Sequence, residues 1–198
     1  MGRRKEFNID EALDAAMAVF WRDGYAGAAI GNVCAAMELK PGSVYLTFGS
    51  KRKLFLTALE RYLVQINQPG INKLAAAVSG VEGVRAYFEH IIDGIQNGNR
   101  QWGCLGTNAF TEMGESDDEI HRMMTAHFTR LADAFEDALN RDRIKDAADW
   151  AQHLVCLAQG LNVLAKVKSN ASSLPRIVET TILALSAAKT DKDLSAEA

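Results

Sequence analysis

Residues 28–48 carry side chains suited to hydrogen bonding with a phosphate backbone and with the edges of bases. The segment has the proportions of a helix-turn-helix, with two short helices and a tight turn at Glu38-Leu39-Lys40. In the second helix Val44 and Phe48 are four residues apart and should pack inward. The positions expected on or near its other faces are Lys40, Gly42, Ser43, Tyr45, Leu46 and Thr47.

Several of these residues can each make a specific interaction with DNA. Gly42 permits close approach of a DNA backbone, and the Tyr45 hydroxyl can donate a hydrogen bond to a phosphate. Lys51 begins the next helix, where the helix dipole and the ammonium charge both attract a phosphate. The same pattern is also typical of a small helical bundle with a solvated basic patch, so spacing alone leaves both interpretations open.

The distribution of charge favours the first interpretation. The net charge of the 198-residue chain is −3, but its first 65 residues hold more Lys and Arg than Asp and Glu, and the remainder is acidic. Because salt screens charges beyond about 10 Å, a phosphate backbone responds to local charge. The segment from residue 40 to residue 61 is strongly basic, with Glu60 as its one acidic side chain.

The elements that must position these residues are helices throughout. Weak strand signals and only three prolines predict an all-α fold, with Asn8 and Ser50 as N-caps, Gly24 as a stop, and Pro41 opening a helix. The N-terminal helices are predicted at about Ile9–Asp23, Ile30–Met37, Pro41–Phe48 and Lys51–Gln68, the last closed by Pro69-Gly70. Later helices are predicted along the stripe Val81–Ile95 and at about Leu105–Met113, Asp117–Arg141, Asp146–Lys168 and Leu174–Lys189.

The stretch from Ile9 to Tyr62 resembles the DNA-binding domain of the tetracycline-repressor (TetR) family. The resemblance rests on the run A…F…GY, a turn, and then GSVYLTFGSKRKLF. It implies a dimeric bacterial transcriptional regulator in which Gly42, Ser43, Tyr45 and Lys51 lie at the DNA interface. Tyr45 and Lys51 would hold phosphates, and the basic arm Arg3-Arg4-Lys5 would reach neighbouring phosphates or the minor groove.

The chain departs from the family pattern at two places in this region. Ala28-Ala29 stands where the family usually carries Thr-Ser or Thr-Thr, which removes a helix cap and a phosphate contact. Glu38 replaces the usual turn glycine, which predicts a positive φ and a negative charge near DNA. Further on, Gly103–Asn108, with the later Glu112, resembles the Gly-Cys-Leu-x-x-Asn element of one branch of the family.

The resemblance implies a homodimer whose chain has three structural parts followed by a tail. We predict a helix-turn-helix domain at residues 1–49, a connecting helix at 50–70, a ligand-binding and dimerisation domain at 71–189, and a disordered tail at 190–198. The helix after Asp146 is apolar around most of its circumference, so it should be buried on two sides. The predicted dimer-interface residues are Leu154, Leu157, Leu161 and Ile182.

The C-terminal helices also predict a site for a small-molecule effector. The candidate lining is Phe88, Ile92, Phe110, Met113, Met124, His127 and Phe128. This set is largely apolar, which favours a small neutral or weakly charged organic molecule over a sugar or nucleotide. The same side chains could equally fill a closed core.

Three alternatives remain at this stage. Cys104 with His90 or His127 could form a thiol sensor, although a cysteine buried in the core is the favoured interpretation. His153 and Cys156 could supply two metal ligands, but two ligands do not make a zinc site. A helical interaction scaffold is the third. The chain lacks a Gly-rich phosphate loop, a Ser elbow and paired carboxylates in an apolar setting, so we expect no enzyme and no cofactor. Three scattered cysteines, with no signal-peptide or membrane-span pattern, predict a cytoplasmic protein.

Overall fold

The computed structural model describes residues 8–167 and 173–189, and these form an all-α fold as predicted. The first part of the chain contains α1 (Ile9–Gly27), α2 (Ile30–Ala36), α3 (Pro41–Phe48) and α4 (Lys51–Tyr62). A π-helical turn, Leu63–Asn67, joins α4 to α5 (Gln68–Ala76). The remaining helices are α6 (Gly80–Gln96), α7 (Leu105–Met113), α8 (Asp118–Arg141), α9 (Ala147–Leu164) and α10 (Leu174–Ala187).

The predicted start signals operate in the expected way. The Asn8 side chain accepts hydrogen bonds from the backbone N–H groups of Asp10 and Glu11, and the Ser50 hydroxyl accepts one from Lys53. Each bond satisfies a donor that the first turn of a helix leaves unpaired. Pro41 occupies the first turn of α3, where its missing N–H costs no hydrogen bond.

The predicted end of the fourth helix is wrong. Pro69-Gly70 does not close it, because α4 ends at Tyr62 and Pro69 lies in the first turn of α5. Proline fits that turn because it needs no backbone donor there. The π-helical turn therefore connects two helices where the sequence pattern predicts one continuous helix.

The chain divides into two compact units, one of which contains the helix-turn-helix. We call residues 8–66 with Leu105–Met124 the head unit. Its core holds Phe20 of α1 against Phe55 of α4, with ring centroids 5.0 Å apart, and Trp21 against Tyr62 at 4.7 Å. These edge-on aromatic pairs fix α4 on α1, and α4 in turn supports α3.

We call Asn67–Cys104, with the described residues after Met124, the C-terminal unit. Its core is an aromatic cluster in which Tyr87 and Phe88 of α6 meet Phe135 of α8 at 4.9 and 5.9 Å. Buried faces of α9 and α10 complete this core. Apart from one isolated antiparallel bridge between Ile144 and Lys189, the described residues contain no β-structure.

The predicted domain limits, the basic arm and the C-terminal tail are not tested by the fold. The compact units divide the chain differently from the domain limits predicted at residues 49 and 70, and those limits stay a prediction. The basic arm Arg3-Arg4-Lys5 and the tail 190–198 lie outside the described residues. Among the described helices, none has the length and apolar character that crossing a membrane would need.

Candidate nucleic-acid interface

Helix α3 presents the predicted contact residues outward. Val44 is buried, with 1% of its surface exposed, and anchors the helix, while Phe48 is half-buried. Tyr45 and Leu46 are 44% and 72% exposed. Exposed large side chains on a short helix that is anchored from one side are what a groove-reading element requires. The other predicted contacts on this helix and its flanks are exposed or half-buried: Lys40, Gly42, Ser43 and Thr47.

Lys51 is held in place by an aromatic ring. Its Nζ lies 4.6 Å from the centroid of the Tyr25 ring, within the range of a cation–π contact. Tyr25 itself packs against Phe55 at 5.1 Å, so the ring is fixed by the core of the head unit. The ammonium is thereby positioned at the first turn of α4, where the dipole also favours an anion.

The positive charge of this face comes from lysines rather than arginines. Arg52 forms a two-pronged ion pair with Asp117, at 2.6 and 2.8 Å, and a further contact with Glu119. Arg61 pairs with Asp14 and Asp10 of α1. Both arginines of the basic run therefore hold the head unit together. The charge available to a phosphate backbone comes from Lys40, Lys51 and Lys53.

The Arg52–Asp117 pair also caps a helix. Asp117 accepts hydrogen bonds from the backbone N–H groups of Glu119 and Ile120 at the start of α8. The Arg52 guanidinium, followed by these backbone donors, overcomes the effect of burial and lowers the pKa of Asp117 to about 2. The carboxylate is therefore ionised throughout the neutral range and ties α4 to the start of α8.

Each departure from the family pattern has one expected consequence that the structure confirms. Ala29 stands at the N-cap of α2 and makes no side-chain capping bond. Glu38 adopts a φ of 54°, which confirms the predicted positive value. It occupies the left-handed position of a Schellman motif, in which the Glu38 and Leu39 N–H groups donate to Ala35 and Cys34.

Glu112 of α7 makes a contact with the head that sequence reasoning missed. Its carboxylate accepts hydrogen bonds from the backbone N–H groups of Tyr25 and Ala26, at 2.9 and 2.7 Å. These donors are free because α1 breaks at Gly24, whose φ is 74°, and starts a fresh turn. A Cβ at Gly24 would lie 2.9 Å from the carboxylate. The carboxylate therefore acts as an N-cap supplied from 86 residues away.

Comparison with known proteins identifies this arrangement. Residues 12–58 match the family described as bacterial regulatory proteins of the tetR family. Residues 80–180, half of the chain, match the C-terminal domain of LmrA/YxaF-like transcriptional regulators. The chain belongs to the TetR family of transcriptional regulators.

TetR regulators of similar length match nearly the whole chain. The uncharacterized HTH-type transcriptional regulator YezE of Bacillus subtilis is 28% identical, over 93% of this chain and 100% of that protein. The HTH-type transcriptional repressor ComR of Escherichia coli is 25% identical, over 91% of this chain and 90% of its own. A solved structure of the TetR regulator CifR, complexed with a 26-bp operator DNA, superposes on this chain with a TM-score of 0.78 and a sequence identity of 30%. The match covers 92% of this chain and 99% of the CifR chain.

The residues predicted for a TetR dimer interface lie largely in the chain's own core. Leu154, Leu161 and Ile182 are each at most 3% exposed within a single chain, so a partner helix would not meet them at the surface. Leu157 is half-buried. The large apolar side chains that α9 and α10 expose are Val163, at 56%, and Leu183, at 63%. Pairing of these two helices stays a prediction, with a different set of side chains facing outward.

The residues predicted to line an effector pocket belong to both units. Phe110, Met113 and Met124 lie in the head unit, where Phe110 packs 5.5 Å from the His121 ring and Met124 is fully buried. Four others lie in the C-terminal unit: Phe88, Ile92, His127 and Phe128. The head unit also has an open groove of about 360 Å³ between α3, α4 and the start of α8. No predicted pocket residue lines this groove.

Arg100 is the second functional candidate that sequence reasoning missed. It lies in the loop between α6 and α7, yet only 3% of its surface is exposed. A loop bracketed by Gly98 and Gly103 predicts an exposed arginine, and no periodic signal marks it as buried.

Cys104 is buried, as predicted, and Cys156 is exposed. Within the described residues, no group of three or more His, Cys, Asp or Glu side chains is arranged to hold a metal ion.

Proposed function

We propose that the chain is a homodimeric repressor that binds a two-fold symmetric operator and releases it when a small molecule binds. The observation that carries the proposal is the outward face of α3, anchored by Val44 and flanked by the fixed ammonium of Lys51. Leu46 would reach into the major groove, and Tyr45 and Lys51 would hold phosphates. The operator complex of CifR and the name of ComR, a repressor, support this proposal.

Selection from a pool of randomised duplexes tests the DNA-binding part. We expect enriched sequences with two inverted half-sites about one helical turn apart or slightly more. Against the selected duplex, K51A should weaken binding and reduce the slope of log affinity on log salt by about one unit. K73A changes an exposed lysine of α5 in the C-terminal unit and should leave both quantities unchanged. Equal affinity of K51A and wild type at moderate salt would contradict the placement of the interface.

Exposed apolar side chains of α9 and α10 support the proposed homodimer. Val163 and Leu183 are accompanied by Gly160, where an added Cβ would meet no atom within 4 Å. Small and apolar side chains on two helices allow close helix packing, which a second copy of the chain would supply. The proposal retains the predicted pairing of the two helices and replaces the predicted contact residues.

Sedimentation tests this interface. V163E should yield monomers, because a charge placed within an apolar helix interface is left without a partner. V78E makes the same change at a position that is 96% exposed between α5 and α6, and should remain dimeric. A dimer of unchanged affinity in V163E would exclude this face.

The regulatory part requires a molecule that binds one arrangement of the two heads better than the other. Only such a difference in affinity can shift the equilibrium between operator-bound and free protein. We place the effector site in the C-terminal unit, where buried polar groups lie beside an aromatic core. A small molecule that lowers operator affinity while the purified protein stays folded, as judged by circular dichroism, would support this part of the proposal. If none of a broad library of metabolites changes operator affinity, this part of the proposal is wrong.

A further inference from the structure

The end of α1 connects a carboxylate of α7 with the lysine that is proposed to hold a phosphate. The Glu112 carboxylate accepts hydrogen bonds from the backbone N–H groups of Tyr25 and Ala26, at 2.9 and 2.7 Å. The ring of the same Tyr25 has its centroid 4.6 Å from Lys51 Nζ. The backbone and the side chain of one tyrosine therefore link α7 to the first turn of α4, and all of these residues belong to the head unit.

The turn that carries Tyr25 needs an acceptor from elsewhere in the chain. Gly24 has a φ of 74° and a ψ of 177°, so the regular helix is interrupted just before Tyr25. A break of this kind leaves the N–H groups that follow it without helical carbonyl partners, as at any helix start. A Cβ at Gly24 would lie 2.9 Å from Glu112 Oε2, so the carboxylate occupies space that a glycine leaves open. The position of Tyr25 thus depends on Glu112.

The Tyr25 ring in turn limits where the Lys51 ammonium lies. A lysine side chain has many rotamers, and ordering it on a phosphate costs conformational entropy. The face of an aromatic ring attracts an ammonium within about 6 Å of its centroid, which orders the side chain before DNA arrives. Phe55 supports the ring from the core at 5.1 Å, and the Glu112 cap fixes the backbone from which the ring projects.

We propose that Glu112 is a positioning residue for DNA binding, which fixes Tyr25 so that the tyrosine ring holds Lys51 ready for a phosphate. This inference rests on the DNA binding proposed above and assigns a further residue to it. Charge alone predicts the opposite effect, because removing an acidic side chain should strengthen the attraction between the protein and DNA. The sign of the change in affinity on removal of Glu112 therefore separates positioning from charge.

Fluorescence anisotropy with the selected duplex measures this sign. At 0.15 M salt K51A should weaken binding by about fivefold, which is the contribution of one phosphate contact with a salt slope of about 0.9. E112A keeps the lysine but misplaces it, so it should weaken binding by about two- to fivefold and reduce the salt slope by less than about one unit. The control E115A removes an exposed acid just beyond the end of α7 and should not weaken binding.

A double-mutant cycle separates positioning from a general loosening of the head unit. In the K51A background E112A should change operator affinity by less than about 1.5-fold, because no ammonium remains for Tyr25 to hold. A head unit that is only loosened would lose affinity equally in both backgrounds and keep its salt slope. Equal losses in both backgrounds, or binding by E112A as tight as by E115A, would overturn the assignment.

A milder variant keeps the test decisive if E112A does not fold, as judged by circular dichroism. E112Q retains one acceptor oxygen, so it should fold and should bind the operator with an affinity between those of wild type and E112A. It would then replace E112A in both comparisons, with the same outcomes supporting or overturning the assignment.

The two proposals fail in different ways. If the wild-type protein selects no duplex, the repressor proposal itself fails. If the wild-type protein and K51A behave as proposed, but the loss of Glu112 weakens binding equally with and without Lys51, the carboxylate serves only the stability of the head unit. The positioning role is then wrong and the repressor proposal stands.

Discussion

Replacing Glu38 with glycine should make the protein more stable and bind DNA more tightly. Glu38 is held at a φ of 54° by the Schellman hydrogen bonds that end α2, a conformation that glycine adopts without steric cost. The same side chain adds a negative charge to the turn that leads into α3. One substitution, E38G, therefore relieves backbone strain and removes an unfavourable charge at once.

The two contributions can be worked out separately. A non-glycine residue in the left-handed region costs about 1–2 kcal/mol, and the greater freedom of an unfolded glycine returns about 0.5–1 kcal/mol of this gain. The net stabilisation should be about 0.5–1 kcal/mol. One charge at about 10 Å from a phosphate contributes about 0.4 kcal/mol in water, which corresponds to about a twofold gain in operator affinity.

Urea unfolding followed by circular dichroism measures the first effect, and fluorescence anisotropy with a labelled operator measures the second. The control E38Q removes the charge but keeps the strained backbone, so it should raise operator affinity as E38G does and leave stability unchanged. E38N, with a side chain that tolerates positive φ, should recover part of the stability. If E38G lowers the free energy of unfolding, or if E38Q raises it equally, the strain argument is refuted.

Three further changes test other parts of the structure. E112A should destabilise the head unit by about 1–3 kcal/mol in urea unfolding, because two backbone N–H groups at the end of α1 lose a charged acceptor. D117N should have a lower free energy of unfolding than wild type at pH 7. Because the pKa of Asp117 is about 2 in the folded protein against an ordinary 3.8, this difference in free energy should disappear as the pH falls from about 4 to 2. L161A should cost about 2–5 kcal/mol through a cavity in the C-terminal core, whereas V163A should change chain stability by less than about 0.5 kcal/mol and weaken the dimer.

Neighbouring residues supply the controls for these changes. E115A and D118N alter exposed acids near Glu112 and Asp117, and both should behave like wild type. A stability difference between D117N and wild type that stays constant down to pH 2 would show that Asp117 acts through packing and not through its charge. L161A with native stability but a weakened dimer would reverse the assignments of Leu161 and Val163.

The sequence alone predicts the helix-turn-helix and most helix boundaries, because the signals for them act within one or two turns. Asn8 and Ser50 cap the helices that follow them, and Pro41 opens α3, each through a bond or a constraint spanning a few residues. The strained turn at Glu38 was also predictable, since its conformation depends on the local end of α2. The exposed and anchored faces of α3 follow from the 3.6-residue period in the same way.

The sequence pattern does not determine the role of a residue whose surroundings come from distant parts of the chain. Pro69 is a valid signal both for ending a helix and for occupying a first turn, and only the fold shows that it begins α5. An apolar helix such as α9 must be buried on two sides, but its periodicity does not say which side faces the core of the same chain. Leu154 and Leu161 turn out to face that core, and Val163 faces outward.

The burial of Arg100 and the cap on α1 were decided by tertiary structure alone. Glu112 meets the backbone of Tyr25 and Ala26 across 86 or more residues, and Arg100 meets Asn67 across 33. Backbone N–H groups have no sequence signature, and a lone arginine in a glycine-bracketed loop has the pattern of a solvated side chain. Burial of a charge is a property of the folded environment, so its position emerges only when separate segments come together.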